Sequence, residues 1–256
     1  MRVKRFRVFA GPNGSGKSSL FDFLVEKKYF SEHLDINADK IAKSIGLGKF
    51  CIKDWPIQFN IDKFLESVAQ NTRPDNNVNL EYIRKKISYI SDSGDIVWNG
   101  QKNYKTINTV AAYLVDYFTA EMLDSDSTFF YETVFSHTSK IDLMRRAKAK
   151  GFKVYLYFVS TQSPIINWER VKSRVLQGGH KVPKKKLDER YYKSLDNLFE
   201  ALKIADRAFF FDNSESKLST AFLNFAELEN GQIKIENDKD EVPEWFSKYV
   251  LEKMDK

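Results

Sequence analysis

Cysteine is nearly absent: Cys51 is the only one in 256 residues, so no intrachain disulfide can form and a cysteine-rich zinc cluster is excluded. That usage fits a reducing compartment. Glycine and proline are sparse, at 11 and 6 residues against 42% hydrophobic and 14% aromatic content, which excludes a collagenous, low-complexity or disordered chain. Long apolar runs are missing too. The longest in a plausible element, Val154 to Val159, falls far short of the roughly 20 residues that span a bilayer, so no membrane contact is expected. The basic start MRVKRFRVFAG lacks the apolar stretch of about 7–15 residues that a signal peptide needs, and the expected location is cytoplasmic. Nor is there a strong excess of one charge: 41 Lys+Arg against 35 Asp+Glu gives +6. Such an excess suits phosphorylated ligands but is mild for this length, and nucleic acid is not the expected partner.

What is present is α/β alternation. Arg5 to Phe9 reads as a strand that runs into a glycine-rich turn, after which Leu20, Phe21, Leu24 and Val25 mark a helix. A second strand, Leu34 to Asn37, precedes a helix whose buried face would be Ile41, Ala42 and Ile45. From about 48 to 106 the pattern changes. Ile61, Phe64, Leu65 and Val68, then Leu80, Ile83, Ile87 and Ile90, predict two amphipathic helices, and Ile96-Val97-Trp98 before Asn99-Gly100 predicts a small hairpin. This stretch reads as a helical insertion within a single domain covering 1–256. Alternation then resumes. A helix begins near Ile107, followed by a strand Thr128 to Glu132, a helix Ser139 to Lys150, a strand Lys153 to Ser160, a helix opened by Pro164, one long helix striped by Leu187 to Leu202, and a strand Arg207 to Phe211. A hairpin around Asn230-Gly231 and a helix carrying Trp245 and Phe246 close the chain. The expected fold is α/β: a P-loop kinase-like three-layer sandwich with a mainly parallel sheet, a helical insertion and a C-terminal hairpin plus helix.

Gly11-Pro12-Asn13-Gly14-Ser15-Gly16-Lys17-Ser18, with Ser19 next, satisfies G-x-x-x-x-G-K-[ST] between a predicted strand and a predicted helix. Glycines let backbone N–H groups approach phosphate oxygens, and the helix N-terminus adds a positive dipole. Lys17 is expected on the β- and γ-phosphates of ATP and Ser18 on Mg²⁺. The Asn-Lys-x-Asp reader of guanine-specific GTPases and the ABC signature are both missing, and Glu132 is followed by Thr133 rather than by a second carboxylate. Asp39 and Glu132 fall just after predicted strands, on the sheet edge of the loop. That arrangement points to a kinase in which Asp39 takes the proton of an acceptor hydroxyl, while helix capping is its plainer role. Glu132 would orient the acceptor or assist the metal, or is an ordinary strand-end acid. Arg170, Arg174, Gly178-Gly179-His180, Lys181, Lys184 to Lys186 and Arg190 form helix, glycine hinge and helix, a candidate lid whose arginines would clamp phosphate. Lys184 to Lys186 read instead as a solvated helix end, and His180 either contacts phosphate or sits in the turn.

With these motifs in place, the sequence resembles the zeta-toxin-like P-loop kinases. The resemblance rests on the P-loop with INADKIA over 7–42 and on ETVFSHTSKIDLMRRAKAKGFKVYLYFVST, NWERVKSRVLQGGHKVPKKKLDERYYKSL and DRAFFFDNS over about 130–214. It implies ATP-dependent phosphorylation of a UDP-N-acetyl sugar at its 3′-hydroxyl, with Lys17 and Ser18 on ATP and Mg²⁺, Asp39 as base, Glu132 and Thr133 in the acceptor-binding strand end, and Arg170 or Arg174 as lid arginine. An antitoxin protein is an implied partner. The chain departs from the pattern at Val134-Phe135-Ser136-His137, where a second Thr or Gly-Thr followed by Arg is common, and at His180, where a second lid arginine is common. Site expectations are therefore Gly11 to Ser19 for the nucleotide, Lys17, Asp39, Arg170 and Arg174 for catalysis, and Glu132, Thr133, His180 and Arg190 for the acceptor. A polynucleotide or nucleoside kinase, and a non-catalytic ATP-dependent switch, are the alternatives.

Overall fold

The computed structural model describes residues 3–30, 34–70, 79–176, 182–215, 222, 224–235 and 242–254. In chain order the elements are β1 (Arg5–Ala10), α1 (Lys17–Glu26), β2 (Asp35–Ile36), α2 (Ala38–Leu47), β3 (Lys49–Cys51), α3 (Ile61–Ala69), α4 (Leu80–Lys86), β4 (Ile87–Ile90), β5 (Asp95–Trp98) and α5 (Tyr104–Asp124). They continue with β6 (Phe129–Thr133), α6 (Ser139–Ala149), β7 (Lys153–Ser160), α7 (Pro164–Leu176), α8 (Lys184–Asp196), α9 (Leu198–Leu202), β8 (Arg207–Asp212), β9 (Asn224–Glu229) and β10 (Gln232–Ile235). A last helix, α10, covers 244–254 and is π-helical at Ser247–Leu251. Two compact units result, Met1–His33 with Phe130–Lys256, and Leu34–Phe129.

In the larger unit the sheet runs β10-β9-β8-β7-β1-β6. β1 pairs parallel with β7 from Arg5↔Lys153 to Ala10↔Phe158, and β7 pairs parallel with β8 from Tyr155↔Arg207 to Ser160↔Asp212. β9 and β10 add antiparallel, as the predicted hairpin. A strand buried on both faces needs an almost unbroken apolar run, which Val154 to Val159 provides. On one face α1 covers Phe9, Tyr157 and Phe211 with Leu20, Phe21 and Leu24. Elsewhere Trp245 and Phe246 of α10 pack on Phe158, Phe210 and Phe225. Each such side chain contributes about 1.5–3 kcal/mol by leaving water. The rings of Phe9, Tyr157 and Phe209 stack across three strands at 4.7 and 4.9 Å, and burial pushes the Tyr157 hydroxyl up to about 12. Because β1, β7 and β8 are parallel, their C-terminal ends deliver residues 11–16, Thr161 and Asn213 to one edge.

The smaller unit holds α2, packed on α5, and a three-stranded antiparallel sheet β3-β5-β4. The stretch 48–106 is therefore not simply helical. The helix predicted through Ile90 stops at Lys86, and Ile87–Ile90 is a strand. Its apolar positions satisfy a helical period, but Ile87 and Tyr89 also alternate with exposed Ser88 and Ile90, and cross-strand pairing with β5 decides for the strand. The hairpin turns at Ser91–Gly94, before Ile96-Val97-Trp98, rather than at Asn99-Gly100.

Asp95, buried in this sheet, accepts from Lys49 Nζ at 2.7 Å. That bond, then one from Ser93, holds its carboxyl below the usual carboxylate range, whereas burial opposes them. A lowered folded-state pKa gives stability that is present above the unfolded value and lost as pH falls through the folded one. The difference in urea midpoint between wild type and Asp95→Asn is expected to be constant above about pH 5 and to shrink below about pH 4.

Candidate active site

The loop after β1 is built by close approaches that only glycine permits. Gly11 has φ 145°, and a Cβ there would lie 2.0 Å from the Val159 carbonyl oxygen of β7. Gly14 has φ 79° and lies against α7, where a Cβ would meet the Asn167 carbonyl oxygen at 2.5 Å. Neither neighbour can withdraw, since both are backbone atoms of the elements that hold the loop. Gly11→Ala is expected to lower the unfolding free energy by at least about 3 kcal/mol in a urea titration, more than backbone strain alone costs. From the other side, the Asn213 amide at the end of β8 donates to the Ser15 carbonyl at 2.8 Å. Thr161 at the end of β7 donates to the Asn167 side-chain oxygen at 2.8 Å. Asn167 and Asn213 are both buried, and together they brace the loop. No local pattern marks either as part of a site: Asn213 bonds Ser15 across 198 residues, and the Asn167 backbone meets Gly14 from a distant helix.

Lys17 opens α1, is only 7% exposed, and donates from Nζ to the Pro12 carbonyl at 2.9 Å, so its ammonium is folded back over the loop. Ser18 and Ser19 are exposed on the first turn of that helix. The Ser18 hydroxyl lies 2.9 Å from each carboxylate oxygen of Glu132, the penultimate residue of β6. Sequence left Glu132 between acceptor and metal; the structure brings it to the residue expected on Mg²⁺. The Thr133 hydroxyl accepts the Phe135 N–H at 3.3 Å. A hydroxyl and a carboxylate at the positive end of a helix, beside a buried ammonium, are hard oxygen donors and anion-binding groups, and this set fits Mg²⁺ and a triphosphate.

The basic segment divides by burial. Arg170 is partly buried, with Nη1 lacking a partner and Nη2 3.4 Å from the Glu215 carbonyl oxygen. Burial pushes its guanidinium down, and the Asp212 carboxylate opposes that. Arg190 on α8 is also partly buried and is pushed down by burial alone; among the described residues no carboxylate pairs with it. Arg174 is exposed, as are Lys184 to Lys186. Gly178-Gly179-His180 and Lys181 lie outside the described residues.

Asp39 belongs to the smaller unit, where it is exposed in the first turn of α2. The N-cap of α2 is Asn37, whose side chain accepts from Lys40 N–H at 3.1 Å. Capping therefore does not require Asp39. The smaller unit also has an open cavity of about 480 Å³ lined by Phe59, Asn60, Asp62, Arg84, Ser88 and Tyr89. Among the described residues, no helix is long and apolar enough to cross a membrane.

Two solved structures support the fold. A chain of the AvrRxo1-ORF1:AvrRxo1-ORF2 complex with sulphate ions aligns with a TM-score of 0.54 and 12% identity over 93% of this chain. The same complex with ATP gives 0.53 and 12% over 92%. This protein spans about 62% and 61% of those two chains. The PezAT chromosomal toxin-antitoxin system of Streptococcus pneumoniae aligns at 0.47 and 13%, over 83% of this chain and 68% of the other. A comparison of the sequence with curated proteins finds no match. The family model described as zeta toxin matches residues 82–218, more than half of the sequence and the part that carries β6, β7, β8 and the basic helices. The chain belongs to the zeta toxin family.

Proposed function

We propose that the protein is an ATP-dependent kinase that transfers the γ-phosphoryl group to a hydroxyl of a small molecule, a UDP-N-acetyl sugar. The observation that carries this reading is the contact of Ser18 with Glu132 at 2.9 Å beside the buried Lys17, which gathers metal and phosphate ligands at one sheet edge. When bound, ATP supplies the phosphoryl group and Mg²⁺ spreads its charge. Residues 11–19 would cradle the phosphates through backbone N–H groups, and Ser18 and Glu132 would hold the metal. Lys17 and the partly buried guanidinium of Arg170 stabilise charge on the transferring group, with Arg174 as a further lid contact. Asp39 takes the proton of the acceptor hydroxyl, while Thr133, His180 and Arg190 contact the acceptor. The same reading takes the chain as one kinase domain with 48–106 as an insertion, and an antitoxin protein as partner, supported by the family.

The test is incubation of γ-labelled ATP with UDP-sugars, nucleosides, NAD and RNA ends. Mg²⁺-dependent label in a UDP-N-acetyl sugar is expected. Label on nucleosides or RNA ends alone would replace the acceptor class, and slow hydrolysis with no labelled acceptor would favour the switch.

A further inference from the structure

Just beyond Glu132 the chain leaves the sheet by a turn that is costly to make. Phe135, 1% exposed, sits at φ +63°, a region where non-glycine residues are uncommon and cost on the order of 1–3 kcal/mol. Such a conformation persists only when its surroundings over-determine it, and here they do. Thr133 Oγ1 accepts the Phe135 N–H from within the turn, and the rest of the restraint comes from α8 and the residue that follows it. Asn197 donates from Nδ2 to the Phe135 carbonyl at 3.0 Å. Ser194, fully buried, places its hydroxyl between the Val134 carbonyl and, at 2.7 Å, the Arg190 carbonyl one turn earlier. Two consecutive carbonyls of the β6 exit are therefore met by α8 and its C-cap residue. α8 also carries Arg190, four residues before Ser194 and on the same helix face.

We propose that Ser194 and Asn197 are positioning residues that fix the exit of β6, so that the Glu132 carboxylate stays against Ser18 while Arg190 is set at a constant offset from both. The proposal rests on the kinase reading of the Ser18–Glu132 pair. Neither side chain needs to touch nucleotide or acceptor. Without their grip the strained turn relaxes and the carboxylate loses its fixed distance from the metal-side hydroxyl, a loss felt as weaker metal binding.

The test measures binding of a fluorescent ATP analogue at increasing Mg²⁺ for wild type, Ser194→Ala and Asn197→Asp. The second variant keeps the shape of the side chain but removes the donating amide, and its partly buried position keeps the test open if Ser194→Ala does not fold. The half-saturating Mg²⁺ concentration should rise about tenfold, with Mg²⁺-free nucleotide affinity held within about twofold. A merely structural role would lower the melting temperature and leave that midpoint in place; folded variants with an unmoved midpoint would overturn the proposal. The readout does not depend on an acceptor: a shifted midpoint in a protein that labels no acceptor would reject the kinase reading while keeping the positioning role.

Discussion

Lys17→Ala is expected to lower phosphoryl transfer by at least about 10³-fold, the loss seen when a preorganised charge is removed from a developing oxyanion. The size follows from where the ammonium sits. At 7% exposure it is largely out of water, and its hydrogen bond to the Pro12 carbonyl keeps it over the loop before any ligand arrives. Reorganisation is therefore small, and in a partly desolvated site a unit charge acts more strongly than at the surface. Lys17→Arg should not rescue the loss, because a planar, forked guanidinium does not replace a compact ammonium within this tight turn. Turnover with saturating ATP and Mg²⁺ checks both variants, with a melting curve to show that the loop, braced by Asn167 and Asn213, is intact. Transfer within tenfold of wild type by Lys17→Ala would remove the lysine from the chemistry.

Much of this site was legible in the sequence because its chemistry is contiguous. Gly11 to Ser18 is a local motif, and the strands on either side of it, β1 and β7, begin and end within a residue of where alternation places them. β6 runs one residue later than Thr128 to Glu132 suggested, which leaves Glu132 one residue short of the strand end. Less legible was whatever depends on distant partners. Glu132 alone did not reveal that it faces Ser18, 114 residues away. Asn213 reaches Ser15 across 198 residues, and no spacing rule announces such a pair. The stretch 48–106 misled for a different reason. Ile87 and Ile90 fit both a helical and a strand period, and only pairing with β5 separates the two. The long helix expected over Leu187 to Leu202 is interrupted only at Asn197, whose backbone still donates to the Lys193 carbonyl and accepts from the Ala201 N–H at 3.2 Å each.

The second large effect concerns Asp39. Asn37 already caps α2, so the exposed carboxylate at position 39 is not the cap of that helix, and the proposed function gives it the proton of the acceptor hydroxyl. A positioned general base contributes about 10²–10⁴-fold, and an amide of the same shape cannot accept the proton. Asp39→Asn should therefore lower kcat by at least about 10²-fold while leaving ATP affinity within about twofold, since the proposed phosphate cradle, residues 11–19, is left unchanged. The decisive measurement is single-turnover transfer of γ-labelled phosphate from ATP to the acceptor hydroxyl, with ATP binding followed in parallel, for wild type and Asp39→Asn. Transfer that collapses while binding holds is the predicted result; transfer at the wild-type rate from the variant would contradict base-assisted phosphorylation of an alcohol at this site.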